Sequence, residues 1–262
     1  MISPLAYVDP SAKLADDVKV HPFAYIDADV EIGPGCEIMP NASIMRGTRM
    51  GANNKIYQGA VIGADPQDFR WKGQQTYCYI GDNNRIREQC IINRGIDSDG
   101  GTRIGSGCFI MAESHIGHDS AIADNCVLGN GVKIAGNVKI GNCTILSSNV
   151  IINENSAVGE CTLIKGGCRI SNNVPPFTIM AHNPARYYGV NNVIMQKCGY
   201  TDTNVDDVAK AYRHIYQCNI SVFNALSRIE SDIDPSKVRN IITDFIRQHN
   251  LRIAGDTFND EE

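Results

Sequence analysis

One aliphatic residue returns at every sixth position along most of this chain, and no ordinary helix or sheet has that period. The series runs through Ile2, Val8, Leu14, Val20, Ile26, Ile32, Ile38, Ile44, Met50, Ile56 and Ile62. It pauses from Gly63 to Tyr79, resumes at Ile80, Ile86 and Ile92, and pauses again from Asn93 to Arg103. It then runs unbroken from Ile104 to Ile170. An α-helix repeats at 3.6 residues and a strand at 2. A period of six fits short strands joined by tight corners, and Gly and Asn cluster just after the aliphatic position, as in Ile80-Gly81-Asp82-Asn83-Asn84. Those residue types tolerate the positive φ that corners require.

A second inward position lies two residues before the aliphatic one. It holds Ala24, Ala42, Ala60, Ser114, Ser120, Thr144 and Thr162, and also Cys36, Cys78, Cys90, Cys108, Cys126 and Cys168. One large and one small residue per hexad allow three hexads to close an 18-residue triangular coil. Stacked coils then bury a continuous aliphatic core. The architecture expected is a parallel β-helix of hexapeptide repeats, and 26 registers leave room for eight or nine coils. The two pauses, near 63–79 and 93–103, read as loops thrown out from the coils, either functional or simply solvated. The first carries the only Trp.

The repeat is expected to stop at Val174-Pro175-Pro176, because proline cannot donate to a ladder. Beyond it the pattern turns helical. One helix is expected from a Thr203 cap to Gln217, with Val205, Val208, Ala209, Tyr212, Ile215 and Tyr216 on one face. A second is marked by Ile220, Phe223, Ala225, Leu226 and Ile229. A third opens at an Asp234-Pro235 cap-and-N1 pair, with Val238, Ile241, Ile242, Phe245 and Ile246 inward. The division expected is 1–185 for the β-helix and 186–262 for a small α-helical domain.

Composition narrows the function classes. A net charge of −5 argues against a nucleic-acid partner, which selects for a basic face. The first residues carry neither a basic region nor an apolar run of the signal-peptide kind, and no apolar stretch is long enough to span a membrane. Ten cysteines without a CxxC pair, six of them in the small inward slot, read as reduced packing residues in a cytoplasmic protein.

Residues 18 apart should stack one coil above another, about 4.8 Å apart as strands in a sheet do. His118, Gly136 and Glu154 form one such column, and Asp119, Asn137 and Asn155 form the next. Both lie at a corner, so these groups should be reachable from outside. A His with an adjacent carboxylate can act as a general base, and a bare backbone N–H at Gly136 could stabilise an oxyanion. An exposed, inert histidine is the competing reading. A metal centre of the carbonic-anhydrase kind would need three converging histidines, and the repeats hold only His21, His115 and His118. A non-catalytic scaffold is also open.

The chain resembles the UDP-N-acetylglucosamine 3-O-acyltransferases that begin lipid A synthesis. The resemblance rests on Pro66-Gln67-Asp68, Ile86-Arg87-Glu88, Asn93-Arg94-Gly95, His115-Ile116-Gly117-His118-Asp119 and Ala135-Gly136. It continues through Gly166-Gly167-Cys168, Val174-Pro175-Pro176, Gly189-Val190-Asn191 and Ala211-Tyr212-Arg213-His214-Ile215-Tyr216. It implies a left-handed β-helix, a homotrimer with sites in clefts between subunits, and no metal or other cofactor. The implied reaction moves a 3-hydroxyacyl chain from acyl carrier protein to the 3-OH of a UDP-sugar. His118 would be the general base, Asp119 its orienting partner and Gly136 the oxyanion donor. His115, Asp68, Arg70 and Asn191 match substrate-contacting positions, and Gly166 matches the position that limits acyl length. Several positions depart from the family pattern. Asn153-Glu154 replaces a His-Gln pair, Asn137 replaces a His, and Val193, Lys197 and Cys198 stand where the family has a Glu and two phosphate-binding Arg. Lys for Arg loses bidentate phosphate geometry, and Cys removes a cation. These substrate-binding changes keep open a paralogue with another sugar nucleotide or acyl donor.

Overall fold

A computed structural model describes residues 1–97 and 100–255. The hexads fold as the period requires. Pairs such as Tyr25–Ile26, His115–Ile116 and Ile151–Ile152 are two-residue strands, each hydrogen-bonded in parallel to its counterpart in the next coil. The chain visits three faces in turn. Among the described residues the first face has nine strands, the second eight and the third ten. The aliphatic series points inward, and Ile26, Ile62, Ile92, Ile116, Ile134 and Ile152 are fully buried. Each such side chain contributes roughly 1.5–3 kcal/mol relative to exposure, so the axial core holds the corners in place.

The small inward slot proves to be a donor position as well as a size filter. Ser120 Oγ donates to Ala135 O at 2.9 Å, Thr144 Oγ1 to Gly159 O at 2.9 Å, and Cys126 Sγ to Gly141 O at 3.2 Å. Each reaches the residue fifteen positions on, in the next coil. Asn54 and Asn84 occupy the same slot. The Asn84 carboxamide donates to Gly105 O at 2.9 Å and its oxygen accepts from the Cys108 N–H at 2.7 Å. Four of the six slot cysteines, Cys36, Cys90, Cys108 and Cys126, are therefore cross-coil hydrogen-bond donors, beyond the packing role expected of them. Burial raises the Cys90 thiol to about 11.

Both loops leave from one corner, between the first and second faces. Twelve extra residues separate Ile62 from Ile80 and six separate Ile92 from Ile104. The loops interlock, with Gln74 Nε2 donating to Ile96 O at 3.0 Å and Gly95 N to Tyr77 O at 3.0 Å. The coils directly above place His118, Gly136 and Glu154 at that same corner.

The repeat does not end at the two prolines. Thr178–Ala181 pairs in parallel with Leu163–Ile164 and extends the third face, and Arg186–Val190 returns antiparallel to it. Residues 186–190 thus belong to the sheet, five residues past the division at 185. Helices follow: α1 (Asn192–Lys197), α2 (Asp202–Tyr216), α3 (Val222–Asp232) and α4 (Lys237–Gln248). Short α1 lacks a side-chain cap bond and has no counterpart among the expected helices. Thr201, not Thr203, caps α2, in a capping box with Asn204. Ser236, not Asp234, caps α4 by accepting from Arg239 N. Phe223 on α3 is 66% exposed, so it does not face inward. Val208, Tyr212, Leu226, Ile229, Ile242 and Ile246 form a second core around Phe177, which ties the helices to the end of the coil stack.

Candidate active site

His118 follows the strand His115–Ile116, and Asp119 turns the corner with φ 56°. His118 Nδ1 lies 2.9 Å from Asp119 Oδ2. The Ile96 N–H donates to Asp119 Oδ2 at 3.0 Å and to Oδ1 at 3.2 Å, and the Asp119 N–H donates to Thr102 Oγ1 at 2.9 Å. The second loop therefore fixes the carboxylate, and the carboxylate fixes the ring. With Nδ1–H given to Asp119, the Nε2 lone pair is the group free to take a proton.

His118 is not reachable from outside as the corner position alone suggested. It is 8% exposed. The first loop covers it, with Asp68 Oδ2 3.5 Å from Nε2. Asp68 is gripped by Arg70, whose Nε reaches Oδ1 at 2.9 Å, whose Nη2 reaches Oδ2 at 2.7 Å, and whose backbone N–H reaches Oδ1 at 2.7 Å. The guanidinium holds the Asp68 carboxyl well below the usual carboxylate range. Arg70 Nη2 also donates to Glu154 Oε1 at 2.9 Å, so the loop is pinned to the coil two floors above the histidine. Both partners are largely exposed, and pairs of that kind contribute at most about 1 kcal/mol, so the closure is reversible.

Gly136 lies on the face of the imidazole. A Cβ built there would sit 2.4 Å from both His118 Cε1 and Nε2. The position therefore requires glycine for close approach. Among the described residues the Gly136 N–H has no internal acceptor, which leaves a backbone donor beside the ring. His115 is half-buried, one strand below Lys133. Burial first, then Lys133, then His118 lowers its pKa.

The other candidates divide. Asn137 Nδ2 donates to Asn155 Oδ1 at 2.6 Å, and Asn153 Oδ1 accepts from Arg169 Nε at 3.3 Å. Both stand beside the His118 column. Gly166 sits at the corner between the third and first faces, with Ser148 O 3.1 Å from a built Cβ. Asn191 is 3% exposed, and its carboxamide donates to Cys161 O at 2.9 Å, at the corner between the second and third faces. Lys197 is exposed at the end of α1. One chain thus gathers His118, Asp119, Gly136, Asp68, Arg70 and Glu154, with Asn137, Asn153 and His115 adjacent. Gly166, Asn191 and Lys197 lie at the two other corners.

Arg94, in the Asn93-Arg94-Gly95 motif, carries no assigned role in the sequence reading, yet it is a buried cation at the root of the first loop. It is 4% exposed and pairs with Asp65 Oδ1 at 2.5 Å. It also donates to Gly63 O at 3.0 Å and lies 5.2 Å from the Trp71 ring centre. A charged residue two positions after the apolar run Ile91-Ile92 was the available signal. Among the described residues no group of three or more His, Cys, Asp or Glu side chains is arranged to hold a metal ion. No helix among them is long and apolar enough to cross a membrane.

Comparison with known proteins finds relatives along nearly the whole chain. Residues 173–254 match the family described as "Udp N-acetylglucosamine O-acyltransferase; Domain 2", and residues 11–44, 29–64 and 101–136 match the bacterial transferase hexapeptide. The acyl-(acyl-carrier-protein)–UDP-N-acetylglucosamine O-acyltransferase of a Sulfurihydrogenibium species is 49% identical over 97% of this chain and 94% of its own. That of Chlorobaculum parvum is 50% identical over 92% of each. The UDP-N-acetylglucosamine acyltransferase structure from Bacteroides fragilis superposes with a TM-score of 0.91 at 41% identity, covering 94% of this chain and 97% of that one. The Francisella novicida enzyme gives 0.94 at 34% identity, covering 98% and 95%. The fold is accordingly the left-handed parallel β-helix with a C-terminal helical part that the resemblance implied. The chain belongs to the acyl-(acyl-carrier-protein)–UDP-N-acetylglucosamine O-acyltransferase family.

Proposed function

We propose that this chain transfers a 3-hydroxyacyl group from acyl carrier protein to the 3-OH of UDP-N-acetylglucosamine, the first step of lipid A biosynthesis, with His118 as base. The observation that carries the mechanism is the stack of Asp119, His118 and Gly136 beneath the Asp68–Arg70 loop. His118 Nε2 takes the proton of the sugar hydroxyl as its oxygen attacks the thioester carbonyl. Asp119 steadies the imidazolium that forms. The Gly136 N–H donates to the oxyanion of the tetrahedral intermediate. Collapse expels the carrier thiolate, which recovers the proton from the imidazolium. Asp68 Oδ2 lies 3.5 Å from Nε2, close to the position the acceptor hydroxyl takes beside the base.

Three copies would complete the site. The base, Gly166 and the Asn191–Lys197 segment occupy three different corners, so one chain cannot bring them to one substrate. Outward positions of the third face carry Phe109, Val127, Ile145 and Leu163 in a vertical row, and Ile151 on the first face is 41% exposed. Such a stripe fits burial between subunits. One observation gives the acceptor a second reading. Glu154 is paired to Arg70 where the family pattern has a neutral residue, which favours a paralogous acyltransferase taking another sugar nucleotide or donor. Turnover against a panel of carrier-bound acyl chains and sugar nucleotides distinguishes the two. His118→Ala is expected to lower turnover about 10²–10⁴-fold with sedimentation still that of a trimer; undiminished turnover would remove His118 from the mechanism.

A further inference from the structure

Three thiols meet outside the inward slots, beside the Asn191–Lys197 segment and a corner away from His118. Cys143 and Cys161 are stacked one coil apart at the corner between the second and third faces, both with positive φ, 57° and 54°. The residue one coil below Cys143 is Asn125, with φ 58°, the usual kind of residue for such a corner. Cys198, at the C-terminal end of α1, is exposed and closes over them. The three line a cavity of about 380 Å³ with Glu160, Tyr200 and Lys237. The Tyr200 hydroxyl donates to Glu160 Oε1 at 2.6 Å, and Lys237 Nζ lies 5.5 Å from the Tyr200 ring centre. Four of the slot cysteines are spent on cross-coil hydrogen bonds; this cluster lies apart from them.

We propose that Cys198 is a peroxide-reactive thiol that Cys143 resolves into a disulfide, stapling α1 to the β-helix. The Cys198 thiolate attacks a hydroperoxide, the O–O bond breaks, and Cys198 becomes a sulfenic acid while the peroxide leaves as alkoxide or hydroxide. The Cys143 sulfur then attacks the sulfenic sulfur. The S–O bond breaks, and the departing hydroxide takes the Cys143 proton as water. The two thiols lose two electrons to the peroxide. Accessibility sets the order of events. Cys198 is exposed, Cys143 is half-buried, and Cys161 is 2% exposed. Burial, and then the neighbouring Cys198 thiol, pushes Cys143 up to about 12, so Cys143 stays protonated while Cys198 meets the peroxide. Reactive cysteines of redox sensors share this arrangement, an accessible thiol beside a resolving one. The proposal stands independently of the acyl-transfer reading.

The test uses the reduced full chain, a few equivalents of hydrogen peroxide, alkylation of remaining thiols, and peptide mass spectrometry. The expected product is a Cys143–Cys198 disulfide that dithiothreitol reverses. Cys198→Ser should abolish it, and Cys143→Ser should leave Cys198 as a sulfenic acid captured by dimedone. Cys198 recovered as an alkylated thiol, or over-oxidised beside a still-alkylated Cys143, would overturn the proposal. A bridge from Cys198 to Cys161 would overturn the assignment of Cys143 as the resolving thiol. Circular dichroism of both variants checks that the fold is kept.

Discussion

Replacing Gly136 by Ala tests the site more sharply than removing the base, because it leaves every reactive group in place. The new Cβ would lie 2.4 Å from His118 Cε1 and Nε2 and 3.1 Å from Cδ2. Ordinary carbon contacts are about 3.5–4.0 Å, so the ring must retreat by roughly 1 Å. Its freedom to do so is small. Asp119 holds Nδ1 at 2.9 Å, and the side chain is 10% exposed. Gly136 is not among the positive-φ glycines, so alanine adds no backbone strain. Overpacking of this size costs about 1–3 kcal/mol of stability. A misplacement near 1 Å costs on the order of 10²-fold in rate, or about 2.7 kcal/mol of barrier. Steady-state turnover with carrier-bound acyl donor and UDP-N-acetylglucosamine should therefore show a kcat loss near 10²-fold in a protein that still folds. In the Gly136→Ala, His118→Ala double variant the two losses should not add, because both act through the same ring. Turnover of Gly136→Ala within threefold of the parent, or full additivity in the double variant, would refute the contact as the reason for glycine.

Arg94→Gln should loosen the first loop and lower kcat/KM at least tenfold, with faster limited proteolysis within residues 65–77. Its stability cost should be about 1–3 kcal/mol, below the 3–5 usual for a broken buried pair, because the Asp65 side chain left behind is 59% exposed and stays hydrated. Asn84→Ala strands the Cys108 N–H and Gly105 O between coils, and urea unfolding should register a loss of about 1–3 kcal/mol. Because His115 is held below its ordinary value, the unfolded chain binds its proton more readily. Stability should then rise with pH between the depressed value and about 6.5 and fall on acidification through that window. His115→Asn should flatten that part of the melting-temperature profile.

The β-helix was legible because its signal is redundant. Every coil repeats the inward aliphatic residue and a second inward position two residues before it, so no single position decides the outcome. The helix starts were less legible. Thr201 and Thr203 are both acceptable caps, as are Asp234 and Ser236, and only the tertiary fit of Tyr212 and Val238 chooses between them. Stacking of His118 under Gly136 followed from arithmetic on the period. The burial of His118 did not, because it depends on a twelve-residue loop whose path is set by Arg94, Trp71 and Arg70 rather than by any repeat. The separation of Gly166, Asn191 and Lys197 from the base was hidden for the opposite reason. A resemblance names residues that share a substrate, and it does not say which chain supplies them.

The placement of both loops at one corner has a consequence for how such a chain can change length. The coil stack is a screw, and sequence length sets azimuth as well as height. A six-residue insertion within a coil would turn everything downstream by a third of a revolution, sending Gly136 to a different edge from His118. An eighteen-residue insertion would add one storey, about 4.8 Å, and leave the azimuth untouched. The twelve and six residues beyond Ile62 and Ile92 are multiples of the repeat, yet they rotate nothing, because they leave the screw and rejoin it at the next face. Length can therefore vary freely in the loops that cover the histidine, while between Ile116 and Ile152 it can change only in whole turns.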